Sequence, residues 1–256
     1  AIRMGTCSPS KSPVSTCICA TTRANSQLIR PVTETRSMAR KPRRLVVIPN
    51  HPHHLILRGN NRRRLFSYRR DYRFFLFRLW QASERKGVAV HSSMQMSNHV
   101  HLIVTPPTQV ELSDFVRGFA QPYAQFRNRR RCSSGKLFEE RFKCFPIESE
   151  ERMAVTTAYV ALNPVRGGLC KTAADYRWST LRKHAGIAPQ ETLIDKVWSP
   201  SAWFLSLGKK RATRSAAFLE LFEHYRARDE WDEVYNDPPR PTDRKRVERP
   251  DRRRAV

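Results

Sequence analysis

The sequence predicts an α+β fold: a ferredoxin-like antiparallel sheet with helices on one face, followed by a helical C-terminal extension. Three observations carry this reading. Strand-length apolar runs and long amphipathic runs alternate in the order β-α-β-β-α-β-α over about residues 46–170. Two of the strands follow one another directly, and each half joins a strand to a helix, which is the split β-α-β arrangement. A chain of 256 residues is long enough to bury a sizeable core in one or two domains. Helices on one face of an antiparallel sheet then follow from the layer rules.

Each element has its own local justification. "HHLILRGNN" (53–61) is a short apolar strand running into a Gly-Asn turn. "YRRDYRFFLFRLWQASERKG" (68–87) is a helix, with Phe74, Leu76, Phe77, Leu79 and Trp80 on an apolar face and Gly87 at the C-cap position. "VAVHSSMQM" (88–96) has partial strand alternation. Asn98 turns the chain into the apolar run that ends at Pro106 and Pro107. "LSDFVRGFAQPYAQFRNRRR" (112–131) places Phe115, Val116, Phe119, Tyr123 and Phe126 at helical spacing. Ser113 is the expected N-cap there, and Pro122 is expected to kink or shorten the helix. Cys132 to Gly135 form a loop, and "LFEERFKCFPIES" (137–149) holds the fourth strand. Glu150 and Glu151 open a last core helix, where negative charge suits the N-terminus, and "NPVRGGL" ends it.

The domain reading is a leader at 1–37, a core domain at 38–175, a helical extension at 176–235 and a basic tail at 236–256. The leader is rich in Ser and Thr and lacks apolar periodicity. Met38, in "MARKPRRLVVIPN", reads like a start, so a misassigned upstream start is preferred over a transit peptide. The tail is dominated by Pro, Arg and Asp and is expected to be disordered, contacting phosphates without sequence preference.

The formal net charge is +25, with 28% of residues charged and 39% hydrophobic. So basic a balance points to a polyanionic partner, nucleic acid or a membrane surface. No apolar run approaches the roughly 20 residues that span a bilayer, which argues against an integral membrane protein. The cysteines at 7, 17, 19, 132, 144 and 170 form no C-x-x-C and no disulfide framework, which fits a reducing cytosol.

The chemistry centres on "MQMSNHVHLIVTP" (94–106). Side chains alternate along a strand, so His99 and His101 share one face. Two adjacent imidazoles make half of a divalent-metal site, or a polar pair on a solvated face. Further on, Tyr159 and Asn163 stand four residues apart on a helix and so point the same way. The Asn carboxamide oxygen is a hard ligand suited to Mg²⁺ or Mn²⁺. Pro164 biases the residue before it away from helical dihedrals, which places Asn163 at a frayed helix end. Tyr123 fits an apolar stripe and Tyr176 lies beside Trp178, so both read as packing residues; His54 reads as packing or a turn contact rather than a metal neighbour.

Taken in order, "SNHVHLIVTP", the tyrosine helix running into "ALNPVRGGL", and "DYRWST" resemble the single-tyrosine HUH transposases. "RGNNRRRLF" and "GKLFEERF" resemble the REP-associated, IS200-like branch of that family, over about residues 45–185. The resemblance implies the HUH transposase fold. It also implies catalysis by Tyr159, His99 and His101, with a divalent cation, Mg²⁺ or Mn²⁺, held by His99, His101 and Asn163. The tyrosine would attack single-stranded DNA, form a 5′-phosphotyrosine and free a 3′-OH, and a second 3′-OH would rejoin the strands. The implied substrate is DNA with hairpin-forming repeats, the implied location the bacterial cytoplasm and nucleoid, and the implied state a monomer or homodimer without a membrane partner.

Arginines supply the binding surface. Arg58, Arg62, Arg63 and Arg64 flank the turn Gly59-Asn60-Asn61, a shape suited to phosphate at a strand end. Arg129 and Arg130, in the run from Arg127 to Arg131, crowd the end of the second helix. The DNA contacts expected are therefore Arg58, Asn60, Asn61, Arg62, Arg63, Arg64, Arg129 and Arg130. Two other readings compete: an inactive, domesticated binder of hairpin DNA, and an RNA-binding ferredoxin-like module. The second predicts aromatic side chains on the central strands, where this sequence offers imidazoles.

Overall fold

The computed structural model describes residues 46–139 and 141–227. The leader at 1–37 and the tail at 236–256 lie outside the described residues. The elements are β1 (His53–Arg58), α1 (Arg69–Lys86), β2 (Ala89–Gln95), β3 (His99–Thr105), α2 (Gln109–Arg131), β4 (Lys143–Pro146) and α3 (Glu150–Arg166). Four further helices follow: α4 (Leu181–His184), α5 (Leu193–Val197), α6 (Ala202–Ser206) and α7 (Arg211–Arg226). The sheet order is β2-β3-β1-β4, with every pairing antiparallel. This is the α+β arrangement that the element order predicts.

Strand register sorts the residues between two faces. Leu55 pairs with Leu102 and Leu57 with Val100, and these side chains join the cluster built by Phe75, Leu76 and Leu79 of α1 and Phe115 and Phe119 of α2. The opposite face carries His54 beside Ile103, Ile56 beside His101, and Arg58 beside His99. β2 changes face by a bulge: the register shifts between Val90 and Ser92. One extra residue reverses the alternation, so Val90 packs with α1 and α2, while Met94 joins Ile103 on the other side.

That second apolar strip needs cover. α3 supplies it, packing against β2 and β3 with Met153, Ala154, Ala158 and Ala161. The expectation of helices on one face therefore holds for α1 and α2 and needs correction for α3. The reason is that Ile103 of β3 and Met94 of β2 add apolar side chains to the face that carries the histidines, while Val100, Leu102 and Val104 face the other layer.

The helix ends follow capping chemistry. The buried carboxylate of Asp71 accepts from the backbone N–H groups of Ser67 and Tyr68, at 2.9 and 3.0 Å, and α1 ends at Gly87, whose φ of 60° is left-handed. α2 begins a turn earlier than expected. Thr108, not Ser113, is its N-cap, and accepts from the Glu111 N–H. Pro122 lies inside α2, which runs continuously to Arg131, so the expected break is absent. Proline leaves the carbonyl four residues back without its helical donor; here that is Gly118 O, toward which Arg78 Nη2 of α1 points at 3.4 Å.

α3 starts at Ser149, whose hydroxyl accepts from Arg152 N–H at 3.1 Å. It runs through Asn163 and Pro164 to Arg166. Asn163 is thus helical rather than frayed. Its carbonyl accepts from Gly167 N–H at 2.8 Å and its amide donates to Tyr159 O at 2.9 Å, bonds that hold the turn despite the proline. In the extension, α7 packs on α3, so helical character is present but broken by loops between Leu181 and Arg226. Cys132 and Cys170 are free thiols. Among the described residues no helix is long and apolar enough to cross a membrane.

Candidate functional site

The site grows from the sheet face that α3 crosses. β3 presents His99 and His101 on this face, their ring centroids 4.9 Å apart. Asn98, in the turn before β3, places Oδ1 at 2.7 Å from His99 Nδ1. A carboxamide oxygen only accepts, so Nδ1 carries the proton in this contact, and the lone pair of the neutral ring lies on Nε2. His101 is buried, and its Nδ1 lies 2.9 Å from His54 Nε2. Burial drives the pKa of both rings down, His54 to about 3 with help from Arg152. His101 is lowered well below the usual value, by burial first and then by His99, His54 and Arg58. Both imidazoles are neutral at neutral pH and keep a lone pair for hydrogen bonding or ligation.

Tyr159 comes from α3. Its ring stands edge-on to His101 at 5.8 Å between centroids and to His54 at 6.3 Å. The phenol and the imidazoles, about 60 residues apart in sequence, therefore meet. Asn163 lies one turn on and is tied to Tyr159 through the bond to its carbonyl. Arg166 stands over the Tyr159 ring with its guanidinium carbon 6.0 Å from the centroid. Among the described residues no group of three or more His, Cys, Asp or Glu is disposed to hold a metal. The residues that could hold a cation here are His99, His101 and Asn163, two imidazoles and a carboxamide.

The basic loop is fastened to the same region. Gly59 N–H donates to Asn98 O at 2.8 Å, and Asn60 N–H to Leu137 O at 2.9 Å. A 3-10 turn over Asn60–Arg62 follows. Asn61 and Arg62 both have left-handed φ, 51° and 56°, a conformation that side chains adopt at a cost of about 1–2 kcal/mol per residue. A Cβ at Gly59 would lie 2.2 Å from Arg63 O, so only glycine fits. Arg63 donates to the Lys136 carbonyl, and Arg127 Nη2 to Arg64 O at 3.3 Å. The two arginine groups, separate in sequence, are thereby neighbours.

Within the second group the arginines divide. Arg129 is exposed, as a phosphate contact requires. Arg130 donates to Asp71 at 2.6 Å, and buried Arg127 faces the same carboxylate at 3.5 Å. Arg58 points onto the His face opposite His99. Tyr123 is core, its hydroxyl donating to Leu65 O at 2.8 Å. Tyr176 packs as expected, its hydroxyl donating to Gln95 O at 2.6 Å.

Sequence reasoning set aside His54 and did not find Arg152 and Arg166. The last two had a signal: they lie seven residues either side of Tyr159, two helical turns along the same stripe. His54 had none, because its contact with His101 depends on β1 lying beside β3.

Residues 48–163 match the family model described as "Transposase IS200 like", a span from just before β1 to Asn163. Among solved structures, one described as a REP-associated tyrosine transposase bound to a REP hairpin is 17% identical. It covers 60% of this chain and 88% of its own, with a TM-score of 0.45. A protein from Deinococcus radiodurans R1, assigned provisionally to the transposases, is 16% identical over 43% of this chain and 88% of its own, with a TM-score of 0.34. A comparison with the curated proteins finds no match.

Proposed function

We propose, from the premise that residues 48–163 form a domain of the IS200-like transposase family, that this protein cleaves and rejoins single-stranded DNA through Tyr159. The observation that carries the reading is the approach of the Tyr159 ring to His101, 5.8 Å between centroids. Tyr159 Oη bonds to the scissile phosphorus and the bond from phosphorus to the 3′ oxygen breaks. The phenol proton goes to solvent and the departing 3′ oxygen takes one up. The product is a 5′-phosphotyrosine, which conserves the phosphodiester energy in the enzyme–DNA bond. Attack by another 3′-OH reverses these steps and releases Tyr159.

His99 and His101, through Nε2, and Asn163 would hold a divalent cation, Mg²⁺ or Mn²⁺. Such a cation supplies Lewis-acid stabilisation of the charge that develops on the non-bridging oxygens. A phenol of pKa near 10 is a poor nucleophile at neutral pH, and a cation held beside it would favour the phenolate. Arg58, Arg62, Arg63, Arg64 and Arg129, with Asn60 and Asn61, are the proposed contacts to the strand, and Arg130 supports them from its pairing with Asp71. The hairpin-bearing repeat as substrate rests on the resemblance of "RGNNRRRLF" and "GKLFEERF". Action in the cytoplasm, on the nucleoid, and as a monomer or homodimer belongs to the same reading.

The test uses a 3′-labelled single strand with a hairpin, incubated with Mg²⁺ or Mn²⁺ and resolved on a denaturing gel. The expected result is a slow-migrating covalent adduct, lost in Tyr159→Phe and in EDTA. Robust cleavage by Tyr159→Phe rejects the nucleophile, and unchanged cleavage in EDTA rejects the cation.

A further inference from the structure

His54 has no place in the mechanism above, yet its side chain is fully buried beside the two residues at its centre. It pairs with Ile103 while Ile56 pairs with His101, so His54 and His101 are diagonal neighbours on one sheet face, within reach of each other. Their rings are nearly coplanar, at 17°, with centroids 5.1 Å apart. Face-to-face stacking would bring the centroids closer. Here the rings meet edge to edge through the 2.9 Å contact between His54 Nε2 and His101 Nδ1, an in-plane geometry suited to N–H donation.

One proton lies in that contact, and its owner decides what His101 can do. If His54 donates, His101 carries its own proton on Nε2 and has no lone pair for a cation. If His101 donates, Nε2 is open and His54 keeps its proton on Nδ1. We propose that His54 is a positioning residue for His101: its Nε2 accepts the Nδ1–H of His101 and holds that imidazole in the tautomer whose Nε2 binds the cation. Asn98 plays the matching part for His99. Ligating histidines commonly donate their second ring N–H to such an acceptor, and losing it costs about 10–100-fold in metal affinity. The role rests on the proposed cation site. Tyr159 touches both rings, so the same hydrogen bond sets the wall against which the phenol packs.

The experiment titrates the full chain, free of DNA, with Mn²⁺ and follows free Mn²⁺ by electron paramagnetic resonance. His54→Phe, which keeps a ring and loses the acceptor, is expected to bind about 10–100-fold more weakly. His54→Gln, whose carboxamide oxygen can still accept, is expected to remain within about threefold of the unaltered protein. Equal affinity for His54→Phe and the unaltered protein, or an equal loss in both variants, overturns the assignment. Nitrogen-15 spectra of the unaltered protein with Mg²⁺ give a second measure that needs no variant: His101 protonated on Nδ1 supports the role, and on Nε2 overturns it. His101→Ala separates the two readings. If it binds Mn²⁺ as the unaltered protein does, the cation site itself is wrong and the role of His54 falls with it; if it alone loses binding, the cation site stands without His54.

Discussion

Asp71 shows how one residue can change the meaning of a charge run. Its carboxylate is fully buried, accepts two backbone N–H groups, and faces both Arg130 at 2.6 Å and Arg127 at 3.5 Å. Removing one partner of a buried pair leaves an uncompensated charge, at a cost of about 3–5 kcal/mol. Asp71→Ala is therefore expected to lower unfolding stability by that amount in urea titrations, whereas Arg129→Gln, at an exposed site, should cost less than about 0.5 kcal/mol. In DNA-binding assays the order reverses: Arg129→Gln weakens binding and flattens its salt dependence. A folded Asp71→Ala protein with unchanged stability removes the structural role of this carboxylate. The run Arg127 to Arg131 reads in sequence as one basic cluster. Helical period divides it, because residues three apart share a face, and the carboxylate they share lies 56 residues earlier in the chain. That His99 and His101 share a face was legible because strand period alone fixes it, while Tyr159 was singled out by the resemblance of its helix and the Asn-Pro motif. The hydrogen bond between His101 and His54 was not, since it needs the order of strands in the sheet.

At the scale of elements, α2 shows why a proline was read as a break and is not one. The carbonyl freed by Pro122 is that of Gly118, which Arg78 Nη2 of α1 approaches at 3.4 Å. At the same level the helices nearly touch: a Cβ on Gly118 would sit 3.3 Å from Ala82 Cβ. The missing hydrogen bond is replaced across the helix pair, a long-range remedy that local propensity does not contain. This predicts a coupling. Arg78→Met should cost about 1 kcal/mol in the natural background and less when Pro122→Ala restores the helical donor. A double-mutant cycle should thus give an interaction of about 0.5 kcal/mol or more, and additivity within error would mean Arg78 is no substitute donor. The position of α3 was hidden for a related reason. Periodicity marked its apolar residues, but the bulge between Val90 and Ser92 sends Met94 to the His face and creates the strip that α3 covers. Had β2 alternated without interruption, Met94 would have faced the same layer as Val90.

For the whole molecule, the sheet and the C-terminal helices are joined through buried, neutral histidines. His91 reaches Ser199 O at 3.0 Å and Thr105 Oγ1 at 2.9 Å, so it links β2 to the segment after α5 and to β3. His184 sits among Trp198, Phe204 and Phe218 and hydrogen-bonds Thr180 O. Burial lowers the pKa of both, that of His184 to about 4 against 6.5 for an exposed imidazole, with a smaller contribution from His91. The sign follows from proton binding. Below about 6.5 the unfolded chain takes up protons that the folded chain refuses, so stability falls with acidity, and the loss levels off only below the folded pKa. For His184 alone the full span from about 6.5 to about 4 corresponds to about 3 kcal/mol. Urea midpoints measured at pH 7.5, 6 and 5 should therefore decline, with the slope beginning below about 6.5. His184→Leu should start lower at pH 7.5, having lost the bond to Thr180, and then decline less steeply. A parallel decline in both proteins would place the acid sensitivity elsewhere, and a flat profile would mean these rings take up protons in the fold as readily as in the unfolded chain. α7 packs on the helix that carries Tyr159, so acid that loosens His184, which stacks on Phe218 of α7, also loosens the packing behind that helix.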